Sequence, residues 1–155
     1  MLVRNFCSRE VVTIDPSASL REAALMMRNK HVGALIVVES GSGAARPVGL
    51  LTDRDIVIAV VAVPGARPEG IRVGDVLTRA PVTVQDNDDV FAAVQTMRQH
   101  GVRRLPVVTA EGDLYGVITT ADIVKLIATE LGGLATALRK SGERETAERA
   151  KLHVP

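Results

Sequence analysis

The chain has 155 residues, with 19 Lys and Arg against 18 Asp and Glu and a formal net charge of +1. That balance argues against a phosphate-backbone binder held by bulk charge. Two Phe, one Tyr and no Trp exclude a platform on which unpaired bases stack, whereas 46% hydrophobic and 24% charged residues exclude disorder over most of the chain.

In chain order, residues 3–9 form a short amphipathic turn, with Cys7 on its apolar side. This single cysteine cannot close an internal disulfide, and no Cys or His lies near enough in sequence to build a zinc knuckle with it. The start, Met-Leu-Val-Arg-Asn-Phe-Cys, has no basic region followed by an apolar run, so no secretory signal is expected and a cytoplasmic location is. Residues 11–14, Val-Val-Thr-Ile, suit a strand, and Asp15 with Pro16 marks a turn. Ser19 with Glu22 three residues on is a capping box. Leu20, Ala23, Ala24, Met27 and Val32 then trace one helical face.

Residues 34–38 and 48–51 read as the strands of a hairpin, with the Gly/Ser/Ala stretch 40–46 as its loop. From Thr52, a second helix carrying Ile56, Ile58 and Ala59 stops before Pro64 and Gly65. The apolar run 56–63 is far shorter than the roughly 20 residues a membrane span needs, so no membrane partner is expected. Residues 64–70, with two prolines and two glycines, form a linker.

The pattern then repeats. Val12-Thr13 recurs as Val82-Thr83, Met27-Arg28 as Met97-Arg98 and Val37-Val38 as Val107-Val108, all 70 positions on. Val3, Asn5 and Arg9 correspond to Val73, Asp75 and Arg79. Gly49-Leu50-Leu51-Thr52 recurs as Gly116-Val117-Ile118-Thr119 at an offset of 67, which puts three extra residues in the first copy, within 40–46; a loop tolerates such length cheaply. The second copy predicts a strand at 82–84, a helix at 89–100, strands at 105–109 and 114–118, and a helix at 120–131. After Gly132 and Gly133 comes a charged, exposed, partly helical tail, with Glu145 and Arg149 at i,i+4 spacing.

The expected fold is therefore α/β (α+β): two β-α-β-β-α repeats, at 1–66 and 67–130, related by a pseudo-twofold axis, and a tail at 131–155. A unit of about 60 residues buries too little surface to be comfortable alone. The two should share a core, and a ligand site should lie between them.

Two copies of this unit, each ending Gly-apolar-apolar-Thr-x-x-Asp, resemble a tandem pair of CBS (cystathionine-β-synthase) domains, often termed a Bateman module. The resemblance covers residues 1 to about 130, and is carried best by Thr52-Asp53-Arg54-Asp55-Ile56-Val57 and by the run from His100 to Val108. It implies a regulatory ligand sensor and no enzyme. Such a module has no obligatory cofactor, and it holds AMP, ADP, ATP, S-adenosylmethionine or a related adenosyl molecule between its repeats. It also implies a homodimer formed through helices, for which the apolar run 56–63 is suited, acting on an unidentified regulated protein.

Thr52 with Asp55 and Thr119 with Asp122 are capping boxes in their own right. The resemblance adds ribose and phosphate contacts for the same four residues. A carboxylate can accept from both hydroxyls of a ribose, and the helix N-termini beneath should offer free N–H groups to an anion. Arg103 and Arg104 read either as surface residues or, on the resemblance, as phosphate contacts, since guanidinium groups grip phosphate bidentately. Gly33 and Ala34 replace them in the first copy, so the clefts should differ. One is expected to combine Thr119, Asp122, Arg103 and Arg104 with Val12 and Val32 as an apolar wall, and to bind nucleotide more tightly. The other would combine Thr52 and Asp55 with Val82 and Val102, with Arg54 as its only nearby cation.

Other motifs fail on spacing. Gly41-Ser42-Gly43 lacks the remaining glycine of a dinucleotide loop, and no P-loop is present. Asp86, Asp88 and Asp89 lack the further ligands of a calcium loop and read as helix-capping residues. His31, His100 and His153 form no metal pair, and His100 is the one nearest the candidate cleft. Two other readings stay open: a ligand-free dimerisation or partner-binding scaffold, and a nucleic-acid binder, which the charge and scarce aromatics disfavour.

Overall fold

A computed structural model describes residues 1–41, 44–77 and 79–151. Ser42 and Gly43 of the first hairpin, and His153, lie outside the described residues.

Ser19 opens the first helix as its sequence requires. Its Oγ accepts from the Glu22 N–H at 3.2 Å, and Glu22 Oε2 accepts from the Ser19 N–H at 2.7 Å. That pair ties two otherwise unpaired donors at the N-terminus of α1 (Leu20–Lys30). The helix ends where His31 takes a left-handed conformation, φ 54°. In the second copy α4 (Val90–His100) starts from Asp89, whose Oδ1 accepts from Phe91 N–H at 2.9 Å. It ends on Gly101 at φ 65°, a residue suited to that conformation. Of the three neighbouring aspartates only Asp89 caps a helix: Asp88 accepts from the Gln85 N–H at 2.8 Å and Asp86 lies 3.8 Å from Arg4.

Each copy builds a three-stranded sheet. In the first, β1 (Thr13–Ile14) runs parallel to β2 (Ala34–Gly41), which pairs antiparallel with β3 (Ala44–Thr52). In the second, β4 (Val84–Gln85), β5 (Arg104–Val108) and β6 (Leu114–Thr119) repeat that order. Both hairpins shift register at the same place, Val37/Val38 and Val107/Val108. The predicted 40–46 loop is mostly strand, since Ser40 pairs with Ala45 and Glu39 with Arg46; the extra residues lengthen the hairpin arms. The sheets meet where β3 packs on β6.

The cores do not follow the sequence repeats. Val3, fully buried in a 3₁₀ turn (Val3–Asn5), packs with Val84, Val90, Leu105 and Val107 of the second copy, joined by Phe6 and Cys7. Reciprocally, Val73 in α3 (Val73–Val76), with Ile71, Val76 and Leu77, packs with Ile14, Leu20, Leu35 and Leu51 of the first. Backbone bonds mirror each other at the offset of 70: Val3 N–H to Asp88 O and Val73 N–H to Ala18 O, Val90 N–H to Met1 O and Leu20 N–H to Ile71 O. Each repeat lends its opening segment to the other's core, which ties the halves together more closely than a shared surface would.

After β3 the chain forms α2 (Asp53–Ile56) and then one π-helical stretch, Val57–Val61. After β6 it forms α5, a single helix from Thr120 to Lys151. The predicted break at Gly132 and Gly133 is absent. Two glycines cost about 1 kcal/mol each relative to alanine, but they end a helix only when one adopts a left-handed cap, and Leu131, Leu134, Ala135 and Ala137 around them favour continuation. Among the described residues no helix is long and apolar enough to cross a membrane.

Candidate functional site

Both Thr-x-x-Asp pairs sit where an antiparallel strand turns into a helix. Thr52 Oγ1 donates to Asp55 Oδ2 at 2.7 Å, and the same oxygen accepts from Thr52 N–H at 2.8 Å. Thr119 and Asp122 repeat this at 2.6 and 2.8 Å. The capping reading is therefore realised in both copies. It uses only Oδ2, and Oδ1 of each aspartate takes no hydrogen bond among the described residues.

Most of the N–H groups expected to be free at these helix starts are already taken. At α2 the N–H of Thr52 goes to Asp55, that of Asp53 to Gly33 O, that of Arg54 to Asp53 Oδ1 and that of Asp55 to Thr52 Oγ1. At α5 the N–H groups of Thr119, Thr120 and Asp122 are likewise taken, by Asp122, Arg103 O and Thr119 Oγ1. An anion at α2 must be met by side-chain cations, whereas at α5 the Ala121 N–H has no partner among the described residues and is free to meet one.

Two cavities flank the junction of β3 with β6. The first, about 210 Å³, brings Asp55 of the first repeat against Val82 and Val102 of the second, with Leu50, Leu77, Arg79, His100 and Arg104 around them. The second, about 270 Å³, brings Val12, Val32, Gly33 and Ala34 of the first repeat against Thr119 and Val117 of the second, with Glu10 and Arg104. We refer to them as the Asp55 cleft and the Thr119 cleft. Val12 lines one from the residue just ahead of β1, its carbonyl accepting from the Ile36 N–H at 3.0 Å, and Val82 lines the other from two residues ahead of β4.

Seven of the eleven residues singled out in the sequence line the cleft for which they were proposed: Asp55, Val82 and Val102 in one, Thr119, Arg104, Val12 and Val32 in the other. Thr52 and Asp122 stay behind their capping partners and line neither. Arg103 and Arg104 part company because successive residues on a strand face opposite ways: Arg103 is exposed just before β5, whereas Arg104 is half-buried and lines both clefts. Arg54 is exposed on α2 and lines neither. The cations at the Asp55 cleft are instead Arg79 and Arg104, with His100 beside them.

The distribution of lining cations is thereby the reverse of that expected: among the described residues the Thr119 cleft has Arg104 as its only lining cation and carries Glu10 as well. Arg79 was visible in sequence as the counterpart of Arg9, but nothing local told the two apart. The structure does: the Arg9 guanidinium lies 3.7 Å over the Tyr115 ring, leaving it outside the Thr119 cleft.

The remaining candidates supply no chemistry. Burial pushes the Cys7 thiol above its usual value, which keeps it protonated and poorly nucleophilic. Among the described residues no three His, Cys, Asp or Glu side chains gather as a metal site.

Comparison with known proteins agrees with the doubled architecture. The profile described as CBS domain matches residues 3–62 and again 73–129. A CBS domain-containing protein of Bacillus subtilis, YhcV, is 34% identical over 134 residues, covering 86% of this chain and 91% of its own. Protein MK0525 of Methanopyrus kandleri is 34% identical over 118 residues, 76% of this chain, which spans only 58% of that relative's length. The solved structure of a CBS domain protein from Pyrobaculum aerophilum, PAE2072, complexed with AMP, superposes with a TM-score of 0.73 at 28% identity, covering 86% of this chain and 99% of that one.

Proposed function

The chain belongs to the CBS-domain family, and from that premise we propose that it is a ligand-sensing module that binds an adenine nucleotide in the Asp55 cleft. The observation that carries this reading is the convergence there of an unused carboxylate oxygen, two apolar β-branched side chains and two arginines, drawn from both repeats. The adenine ring lies between Val82 and Val102. Asp55 Oδ1 accepts from the ribose hydroxyls while Oδ2 keeps capping α2. Arg79 and Arg104 grip the phosphate through paired N–H groups. The complex of the Pyrobaculum aerophilum protein with AMP supports this choice of ligand. A cavity of about 210 Å³ is below the common range of roughly 300–1,000 Å³, which favours a mononucleotide over a dinucleotide.

Occupancy would act by population shift. The ligand touches both repeats, so it favours the one packing that brings Asp55 up to Val82, Val102 and Arg79. The readout is a change in association, for which the exposed apolar residues Val57, Ile58 and Val61 after α2, and Val124, Ile127 and Leu131 on α5, provide surfaces; the module works as a homodimer.

Calorimetric titration with AMP tests the reading. Asp55→Asn, which keeps an acceptor for the cap, and Arg79→Ala should each weaken AMP at least tenfold, as expected when a hydrogen bond to a charged group is lost. Full AMP affinity in both variants would discard the site. An absence of any thermal shift with AMP, ADP, ATP, NAD(H) or adenosine would favour a ligand-free scaffold.

A further inference from the structure

The clefts share two lining residues, Leu50 and Arg104, and Arg104 is the only charged one. It stands on β5 opposite Thr119 of β6, half-buried where the two cavities meet. We propose that this single guanidinium couples the clefts, so that an anionic nucleotide in the Asp55 cleft leaves the Thr119 cleft fit for an uncharged nucleoside and not for a second anion. The inference rests on the reading of the clefts as adenosine sites.

The charges around each cleft set the direction. The Asp55 cleft holds Arg79 and His100 besides Arg104, against Asp55. Among the described residues the charged groups lining the Thr119 cleft are Glu10 and Arg104. Its counterparts of the other cations do not line it. Ala34 stands where the second repeat has Arg104, and Arg9, the counterpart of Arg79, is held over Tyr115. Lys30, the counterpart of His100, is exposed on an outer groove that adjoins the cleft and shares Glu10, Val12 and Val32 with it.

A guanidinium presents its five donors in a rigid planar fork and carries a single positive charge, so once it is turned onto one phosphate that charge is largely spent for a second. With Arg104 turned to a phosphate beside Arg79, the Thr119 cleft keeps Glu10 as its only charged lining residue, and a second phosphate meets a carboxylate. Adenosine meets no such penalty, because Val12, Val32 and Thr119 recognise only its uncharged parts. Binding free energies are linked, so whatever the first anion costs the second, the second costs the first.

Calorimetry on the full chain separates the possibilities. AMP should bind one site, with any second AMP at least tenfold weaker, whereas adenosine added to AMP-saturated protein should bind with an affinity within about twofold of that shown at the same cleft before AMP. Asp55→Asn with Arg79→Ala weakens AMP at the Asp55 cleft and frees Arg104, so AMP should then bind the Thr119 cleft at least tenfold more tightly than the second AMP binds the wild-type chain, and adding Arg104→Gln should remove that gain. Thermal melts of both variants check that they fold. Two equal and independent AMP sites in the wild-type chain, or a Thr119-cleft affinity for AMP that the Asp55→Asn and Arg79→Ala changes leave unaltered, would overturn the coupling while leaving nucleotide sensing intact. Binding of neither AMP nor adenosine would overturn the adenosine reading and this inference with it.

Discussion

Replacing Val3 by alanine tests whether the opening segment of the chain completes the core of the second sheet. Val3 is fully buried among Val84, Val90, Leu105 and Val107, and the substitution removes two carbon groups from that cluster. At about 0.8 kcal/mol for each buried carbon group the transfer loss is about 1.6 kcal/mol. The incompletely filled space brings the total to about 2–3 kcal/mol. For a chain of this size that lowers the melting temperature by roughly 4–12 °C. Urea unfolding followed by circular dichroism measures it, with Leu2→Ala, at a position 37% exposed, as a control costing about 1 kcal/mol or less. Val73→Ala should cost a similar amount in the first core, and the double variant should show the sum, since the two sites have no buried neighbour in common. A Val3→Ala protein within about 0.5 kcal/mol of wild type would refute the exchange of segments between repeats.

The equivalent glycines Gly49 and Gly116 should respond unequally to alanine. A Cβ at Gly116 would stand 2.6 Å from the Ser8 carbonyl oxygen, which is backbone and cannot swing aside, whereas one at Gly49 would meet only the tip of Leu77 at 2.6 Å. Gly116→Ala should cost about 2–3 kcal/mol in urea unfolding and Gly49→Ala about 1 kcal/mol; because Leu77 lines the Asp55 cleft, the milder variant should also weaken AMP in a titration. His31→Gly should stabilise the protein by about 0.5–1 kcal/mol, since His31 holds a left-handed conformation, φ 54°, that glycine adopts without a Cβ clash; a loss of stability on thermal melting would show that the imidazole has a packing role. The bonds from Ser19 N–H and Oγ hold the Glu22 carboxyl below its usual range. Their stabilisation is present above the ordinary glutamate value and lost as pH falls through the depressed one, so Glu22→Gln should flatten the acid limb of the urea midpoint plotted against pH.

What the sequence disclosed was local or periodic. The capping boxes at Ser19, Thr52 and Thr119 depend on residues three apart, and the repeat offset aligned Val12 with Val82 and Val32 with Val102 before any contact was known. Partner choice was not legible. Val3 and Val73 were recognised as equivalents, yet nothing in either segment says that it packs on the other repeat, because that is decided by chain crossing and not by propensity. Strand alternation already implied that Arg103 and Arg104 cannot face the same cleft. That Arg104 reaches both clefts depends on how β3 meets β6, a contact between distant segments. Gly132 and Gly133 read as a break because glycine is a poor helix former, but the apolar and alanine-rich sequence on either side outweighs two unfavourable residues.

The most direct measurement is a crystal structure of the chain with AMP. The account predicts AMP in the Asp55 cleft, with its ribose on Asp55 Oδ1, its base between Val82 and Val102 and its phosphate on Arg79 and Arg104. An AMP molecule in the Thr119 cleft alone, or an Asp55 cleft closed over by Leu77 and His100 with AMP at saturating concentration, would contradict it.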